Sequence, residues 1–346
     1  MTGTVTVAVD ANGADLGAAE VAAGAVAAAE RGVRVLLFGP AAEIGEMPDG
    51  VEVVDAPISI AKAADPALAA RSTPDASIVR AVKAVAAGEA DALVSGGSTG
   101  AAIAAGVFNI KRASGIYRPA LALPIPIPGA PILLLDVGAN LSARPEHLVQ
   151  FAFMGAALAQ IVHGVPRPRV ALLSVGEEAT RGTPLVQDVH ARLSAAAGLR
   201  FVGNVEGHEL TEGKADVVVT DGFTGNVTLK VMEGVSDKMI ALLKETATST
   251  RRAKAGGVLM APALRAFRDE IHPEMAGGAY LLGRRRIGVV GHGRFEARGF
   301  AQAIQLAARG VSGDIVGRTH EALERAGALR KPGSAVSDTS STVSAS

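Results

Sequence analysis

The chain has 346 residues, 34 Lys+Arg against 34 Asp+Glu, no Cys, no Trp and 3% aromatic residues. Zero Cys excludes a disulfide scaffold, Cys-ligated zinc, iron–sulfur clusters and thiol catalysis. A formal charge of zero removes any global field for nucleic acid, so a charged partner must be met locally.

At 49% hydrophobic the chain is rich enough to bury a large core. Its bulk is Ala and Val with 41 Gly, a composition suited to close helix-on-sheet packing. The start, Met1 to Val5, shows neither a basic nor an apolar leader region, which predicts a cytoplasmic protein. No apolar run approaches the roughly 20 residues of a spanning helix.

In chain order, β-branched runs alternate with Ala-rich helical stretches, the pattern of βαβ units and a largely parallel sheet. The strands are predicted at 5–10, 33–38, 51–55, 92–95, 132–136, 169–175, 201–205, 217–221 and 287–290. Helices are predicted at 16–30, 76–87, 99–110, 145–162, 184–197, 226–246, 297–309 and 314–326. Residues 56–75 read as a long loop with some helix. Pro124 to Gly129 read as a link between adjacent strands, because Pro cannot donate to a central ladder. After Leu329 the chain turns Ser/Thr-rich and too poor in apolar residues to order itself, so 330–346 are expected to be a disordered tail to a single 1–329 domain.

Five Gly-rich turns follow predicted strands, and in a parallel sheet they share the edge where ligands bind. The first runs from Asp10 through Asn12 and Gly13 to Asp15, and the second from Ser95 through Gly97, Ser98 and Thr99 to Gly100. The third holds Asp136, Gly138 and Asn140. The fourth is Gly176-Glu177-Glu178, and the fifth holds Asp221, Gly222, Phe223, Gly225 and Asn226. Any one of them is equally well a simple turn. In the second, three glycines admit close backbone approach while Ser98 and Thr99 supply hydroxyls and a helix cap, an arrangement that fits an anion. It is neither a P-loop nor a dinucleotide fingerprint, so no nucleotide cofactor is predicted.

Pro145 suits a first helical turn, which puts His147 at a helix start as an acid, a base or a capping group. His292, between Gly291 and Gly293, is a second exposed imidazole of the same kind. The other histidines, His163, His190, His208, His272 and His320, have no metal spacing, and no HExxH or GxSxG appears, so no metal is predicted.

Residues 232–275 differ. Arg251-Arg252-Ala253-Lys254 precede an apolar run containing Val258, Leu259, Met260 and Leu264, read as the tip of a helical hairpin. Basic flanks around an apolar tip suit an anionic bilayer surface, and a second subunit would bury the same residues. Arg284-Arg285-Arg286 add local positive charge suited to an acidic protein, or form a solvated surface.

These turns, with Leu134 to Asn140, Pro145 to Phe151, Gly203 to Gly207 including Asn204 and Glu206, Val218 to Lys230, and Gly277 to Gly293, resemble the bacterial phosphate acyltransferases of phospholipid synthesis over about Val5 to Gly310. Two turns depart from the family pattern. Asn12 and Ala14 stand where Met and Gly are usual, and Gly96 and Ser98 where Ala and Asn are usual.

The resemblance implies a three-layer α/β/α fold of the isopropylmalate dehydrogenase and phosphotransacetylase kind, with a largely parallel sheet and a protruding helical hairpin. It implies a homodimer, peripheral to an anionic membrane, converting long-chain acyl-acyl carrier protein and inorganic phosphate into acyl phosphate. The product would feed a downstream glycerol-3-phosphate acyltransferase. On this reading phosphate is the nucleophile and binds at the Gly97 to Gly100 turn. Asn140 and Asn226 act as amide donors, His147 serves proton transfer or the oxyanion, and Lys230 supplies charge. Asp10, Asp136 and Asp221 orient loops. Acyl transfer between phosphate and coenzyme A, a non-catalytic carrier-protein scaffold, and nicotinamide-dependent oxidation are the competing readings.

Overall fold

The computed structural model describes residues 4–271 and 273–330. Met1 to Gly3, His272 and Lys331 to Ser346, which hold nearly all of the expected disordered tail, lie outside the described residues. Arg330 belongs to the fold, since its N–H donates to Gly115 O at 2.8 Å.

An 11-stranded sheet runs through the molecule in the order β3-β2-β1-β4-β11-β10-β5-β6-β9-β7-β8. The strands are β1 (Thr6–Asp10), β2 (Arg34–Gly39), β3 (Val51–Asp55), β4 (Ala92–Ser95), β5 (Ala120–Ile125), β6 (Ile132–Leu135), β7 (Arg169–Leu173), β8 (Arg200–Val205), β9 (Val217–Val219), β10 (Ala279–Leu282) and β11 (Ile287–Val290). The helices are α1 (Ala18–Ala29), α2 (Ala41–Ile44), α3 (Pro66–Ser72), α4 (Ser77–Ala87), α5 (Thr99–Asn109), α6 (Pro145–Val162), α7 (Pro184–Ser194), α8 (Gly222–Thr248), α9 (Arg251–Ile271), α10 (Pro273–Ala276), α11 (Ala297–Ser312) and α12 (Ile315–Arg325).

Most strands are buried on both faces, which is why they read as continuous apolar runs rather than alternating ones. Val7, Val9, Leu133 and Val217 pack with α1, α6, α11 and α12 on one face. Leu36, Leu93, Leu134 and Val218 pack with α4 and α5 on the other. The three-layer architecture follows directly.

Seven of the ten strand pairings are parallel, and the three antiparallel ones lie together at the centre, β11–β10, β10–β5 and β5–β6. This central reversal corrects the expectation of one shared ligand edge. β1, β4 and β11 run one way while β6, β9 and β7 run the other, so the first two turns and His292 leave one edge of the sheet and the third, fourth and fifth leave the opposite one.

Two more expectations change. Pro124 and Ile125 are part of β5 rather than of a link. β10 pairs only with Ala120 to Ala122, so Pro124 sits where the strand has a single neighbour and its missing N–H is tolerated. The hairpin of α8 and α9 turns at Ser249 and Thr250, so the apolar run 256–264 lies within α9 and not at its tip.

Candidate active site

The crevice between β1 and β4 is a switch point of the topology: α1 after β1 covers one face of the sheet and α5 after β4 covers the other. Asp10 ends β1 there and is 2% exposed. Its carboxylate accepts from Ser77 Oγ at 2.6 Å, Ser95 Oγ at 3.2 Å and Asn12 N–H at 3.3 Å. Burial pushes the carboxyl up to about 6, against the pull of these three donors.

Asn12 is held by its amide, which donates to Ala56 O and Pro57 O. Gly97 lies so close that a Cβ on it would sit 3.2 Å from Asn12 O and 3.7 Å from Asp10 Oδ2. Gly13, at φ +104°, has Ala61 Cβ only 2.3 Å from where its own Cβ would be. Ser98 caps α5 by accepting from Ala101 N–H at 3.4 Å. The exposed Thr99 and Gly100 then present first-turn N–H groups that have no intrahelical partner. Asp15 N–H donates to Gly293 O, which brings exposed His292 to the rim, its Nδ1 accepting from Arg294 N–H.

A second group gathers at the ends of β6 and β9. Asp136 is 0% exposed and accepts N–H bonds from Leu121, Gly138, Ala139 and Asn140 at 2.8–3.1 Å, and from Asn140 Nδ2 at 2.7 Å. Burial raises its carboxyl above the ordinary range despite these donors. Asn140 Nδ2 also donates to Pro119 O at 2.7 Å. Both amide hydrogens of Asn140 are therefore spent inside the fold, which corrects its expected role as a donor to a reacting group. Asn226 gives one hydrogen to Val137 O, and the other has no partner among the described residues. Asp221 caps α8 by accepting from the N–H groups of Phe223 and Thr224. Gly222 N–H donates to Asn140 O, and Gly225 packs its bare Cα against the Asp136 carbonyl.

His147 is 7% exposed and its Nδ1 accepts from Arg144 N–H at 3.2 Å. In the neutral ring that bond places the proton on Nε2, a donor. Burial lowers its pKa, with a partial offset from Glu146 and a further push down from Arg118 and Arg144. Lys230 is paired with Glu233 at 2.6 Å on the surface of α8, so the charge expected of it is taken locally.

Glu177, Asn204 and Glu206 fall in neither group. Glu177 pairs with Lys214, which also bonds Glu209, while Asn204 bridges His190 Nδ1 and Glu178 O, and Glu206 lies 3.5 Å from His208. These contacts tie the loops beyond β7 and β8. Ser77 escaped the sequence reading because a serine opening a helix carries no motif; only the packing of α4 on β1 brings it to Asp10.

The hairpin leaves a long apolar surface. Val227, Val231, Val235 and Met239 on α8 are exposed, as are Val258, Leu259, Met260 and Leu264 on α9, with Leu259 at 83%. Among the described residues no helix is long and apolar enough to cross a membrane.

The architecture is a mixed, three-layer α/β fold with a glycine-lined, helix-capped crevice at a topological switch point. The same fold occurs in a phosphotransacetylase from Streptococcus pyogenes (TM-score 0.59, 17% identity, 89% of this chain and 94% of that one). It also occurs in the EutD phosphotransacetylase from Staphylococcus aureus (TM-score 0.57, 15% identity, 89% and 94%). The model of the family described as "Fatty acid synthesis protein" matches residues 5–318. The phosphate acyltransferase of Moorella thermoacetica is 40% identical over 329 residues, 91% of this chain and 97% of that protein. That of Thermobifida fusca is 41% identical over 335 residues, 94% and 92%, and that of Nitratidesulfovibrio vulgaris 41% over 310 residues, 87% and 90%. The chain belongs to this family, and it is an enzyme of acyl transfer with phosphate.

Proposed function

We propose that the enzyme transfers the acyl group of a long-chain acyl-acyl carrier protein to inorganic phosphate, giving acyl phosphate for glycerophospholipid synthesis. The observation that carries this reading is the crevice between β1 and β4, where Thr99 and Gly100 offer main-chain N–H groups beside the hydroxyls of Ser98 and Thr99.

Sheet twist supports a shared cleft. Each strand step turns a sheet by roughly 20–25°, so the five steps from β4 to β9 turn the strand ends by roughly 100° or more. Edges that leave the sheet in opposite senses are thereby swung toward one another. On this reading phosphate at Ser98 to Gly100 meets the first turns of α6 and α8, which carry His147 and Asn226.

In this reading a phosphate oxygen attacks the thioester carbonyl, the oxyanion takes the Nε2–H of His147 and the free N–H of Asn226, and collapse breaks the C–S bond to release the carrier thiolate. The protein positions and stabilises charge, with no nucleophile of its own. The buried carboxylates of Asp10 and Asp136 hold loops, since either would repel phosphate if turned toward it.

The exposed apolar faces of α8 and α9 serve a homodimer and peripheral attachment to an anionic membrane, in a cytoplasmic enzyme handing its product to a glycerol-3-phosphate acyltransferase. The test is phosphate-dependent thiol release from purified protein with long-chain acyl-acyl carrier protein, the product trapped by hydroxylamine. Release only from acyl-coenzyme A moves the assignment to phosphotransacetylase chemistry, and no release from either donor overturns it.

A further inference from the structure

Chain reversal at the centre of the sheet gathers basic residues from four separate segments. Arg112 bridges Arg284 in antiparallel fashion, and Arg285 N–H donates to Lys111 O at 3.1 Å, so the end of α5 and the β10–β11 turn lie side by side. Leu282 pairs with Ala120, and Gly283 lies against Pro119 and the Arg118 carbonyl. Pro119 in turn accepts from Asn140, and Arg118 and Arg144 both act electrostatically on His147. Lys111, Arg112, Arg118, Arg144, Arg285 and Arg286 are all exposed. In a chain of zero formal charge, a cationic rim therefore borders the loop of the His147 group.

Arg284, at its centre, is different. It is 5% exposed, and among the described residues its guanidinium donates to main-chain oxygens alone, Ile110 O at 2.8 Å and Val107 O at 3.4 Å. Its Nε is buried without a partner, and no carboxylate among the described residues pairs with it. A desolvated cation with one donor unused is costly unless an anion completes it. Arg284, Arg286, Thr319 and His320 line a crevice between the β10–β11 turn and α12, with a cavity of about 20 Å³, room for one water.

We infer that this rim docks an acidic face of the protein that carries the acyl thioester. The inference rests on the proposed carrier-protein substrate and adds where the carrier lands. The occupant is a protein rather than a lipid surface because the rim borders the His147 group, to which a carrier-borne thioester has to be brought; the exposed apolar residues beside it are only Val107 and Phe108 among the described residues of α5, whereas those of α8 and α9 form a longer surface. Charge complementarity of this kind sets encounter rate and orientation, and it weakens with salt.

The experiment compares wild type with the triple variant Lys111→Glu, Arg285→Glu, Arg286→Glu, whose three positions are exposed. Steady-state thiol release is measured with long-chain acyl-acyl carrier protein and with the same acyl chain as an N-acetylcysteamine thioester. The expected result is a KM for the carrier-borne donor raised about tenfold or more, with kcat and the small-thioester kinetics unchanged.

An unchanged carrier KM in the triple variant overturns the inference. So does loss of binding to anionic phosphatidylglycerol vesicles with an unaltered carrier KM, which would give the rim to lipid. Titration of the unacylated carrier against both proteins separates the two levels of argument. If wild type shows no turnover, the substrate assignment fails, while carrier binding lost only in the variant still supports the docking surface; equal binding refutes it.

Discussion

Ser77 Oγ donates to Asp10 Oδ1 at 2.6 Å, joining two residues 67 positions apart and fastening α4 to the end of β1. The bond holds the floor of the β1–β4 crevice, and Asp10 is buried well enough there to titrate near 6. Because the folded carboxyl binds its proton more tightly than the unfolded one, whose ordinary value is 3.8, ionisation between these values destabilises the fold.

Stability of the wild type is therefore expected to fall as pH rises from about 4 to 6, relative to Asp10→Asn, by up to about 3 kcal/mol. Urea unfolding of both proteins at pH 4 and pH 7 checks this. Parallel pH profiles would show that Asp10 is not the group responsible.

Gly97→Ala should leave the fold intact, since the new methyl would meet Asn12 O at 3.2 Å, a contact that a small loop shift relieves. The KM for phosphate should nonetheless rise about tenfold, because the close backbone approach is what shapes the cradle. Gly225→Ala is different. Its methyl would come within 1.9 Å of the Asp136 carbonyl, so a loss of about 3 kcal/mol or more and little soluble protein are expected, measured by thermal unfolding and yield.

His147→Ala should lower turnover about 10²–10³-fold with thermal stability reduced only by the loss of one cap, about 1 kcal/mol. With the imidazole pKa below its ordinary 6.5, the acid limb of the wild-type pH–rate profile should lie below that value and be absent from the variant. Turnover within a few-fold of wild type would remove His147 from the oxyanion.

Leu259→Asp with Met260→Asp targets the most exposed part of α9. Either sedimentation with anionic vesicles or the dimeric mass in light scattering should be lost, while circular dichroism is unchanged because neither side chain is buried. Retention of both would show that this surface serves neither purpose.

Most elements were legible because the local rules agree at each of them. Pro145 opens α6 as expected, and the β-branched and apolar runs of β3, β4 and β11 match their predicted bounds. Ala279 to Leu282 were missed as a strand: four residues between glycines give no period to read. That short strand, together with β5, carries the reversal on which the site's geometry turns.

The amino-acid sequence by itself determined the layers, the glycine turns and their capping residues, because these depend on backbone propensity and on contacts within a few positions. It also carried the family's motifs. The tertiary structure decided the rest: which turns share an edge, that the Asn140 amide is already spent on Asp136 and Pro119, and that Lys111, Arg112 and Arg118 lie along the 283–285 turn. Those facts follow from strand direction and long-range pairing, and no local pattern records whether a strand enters the sheet parallel or antiparallel to its neighbour.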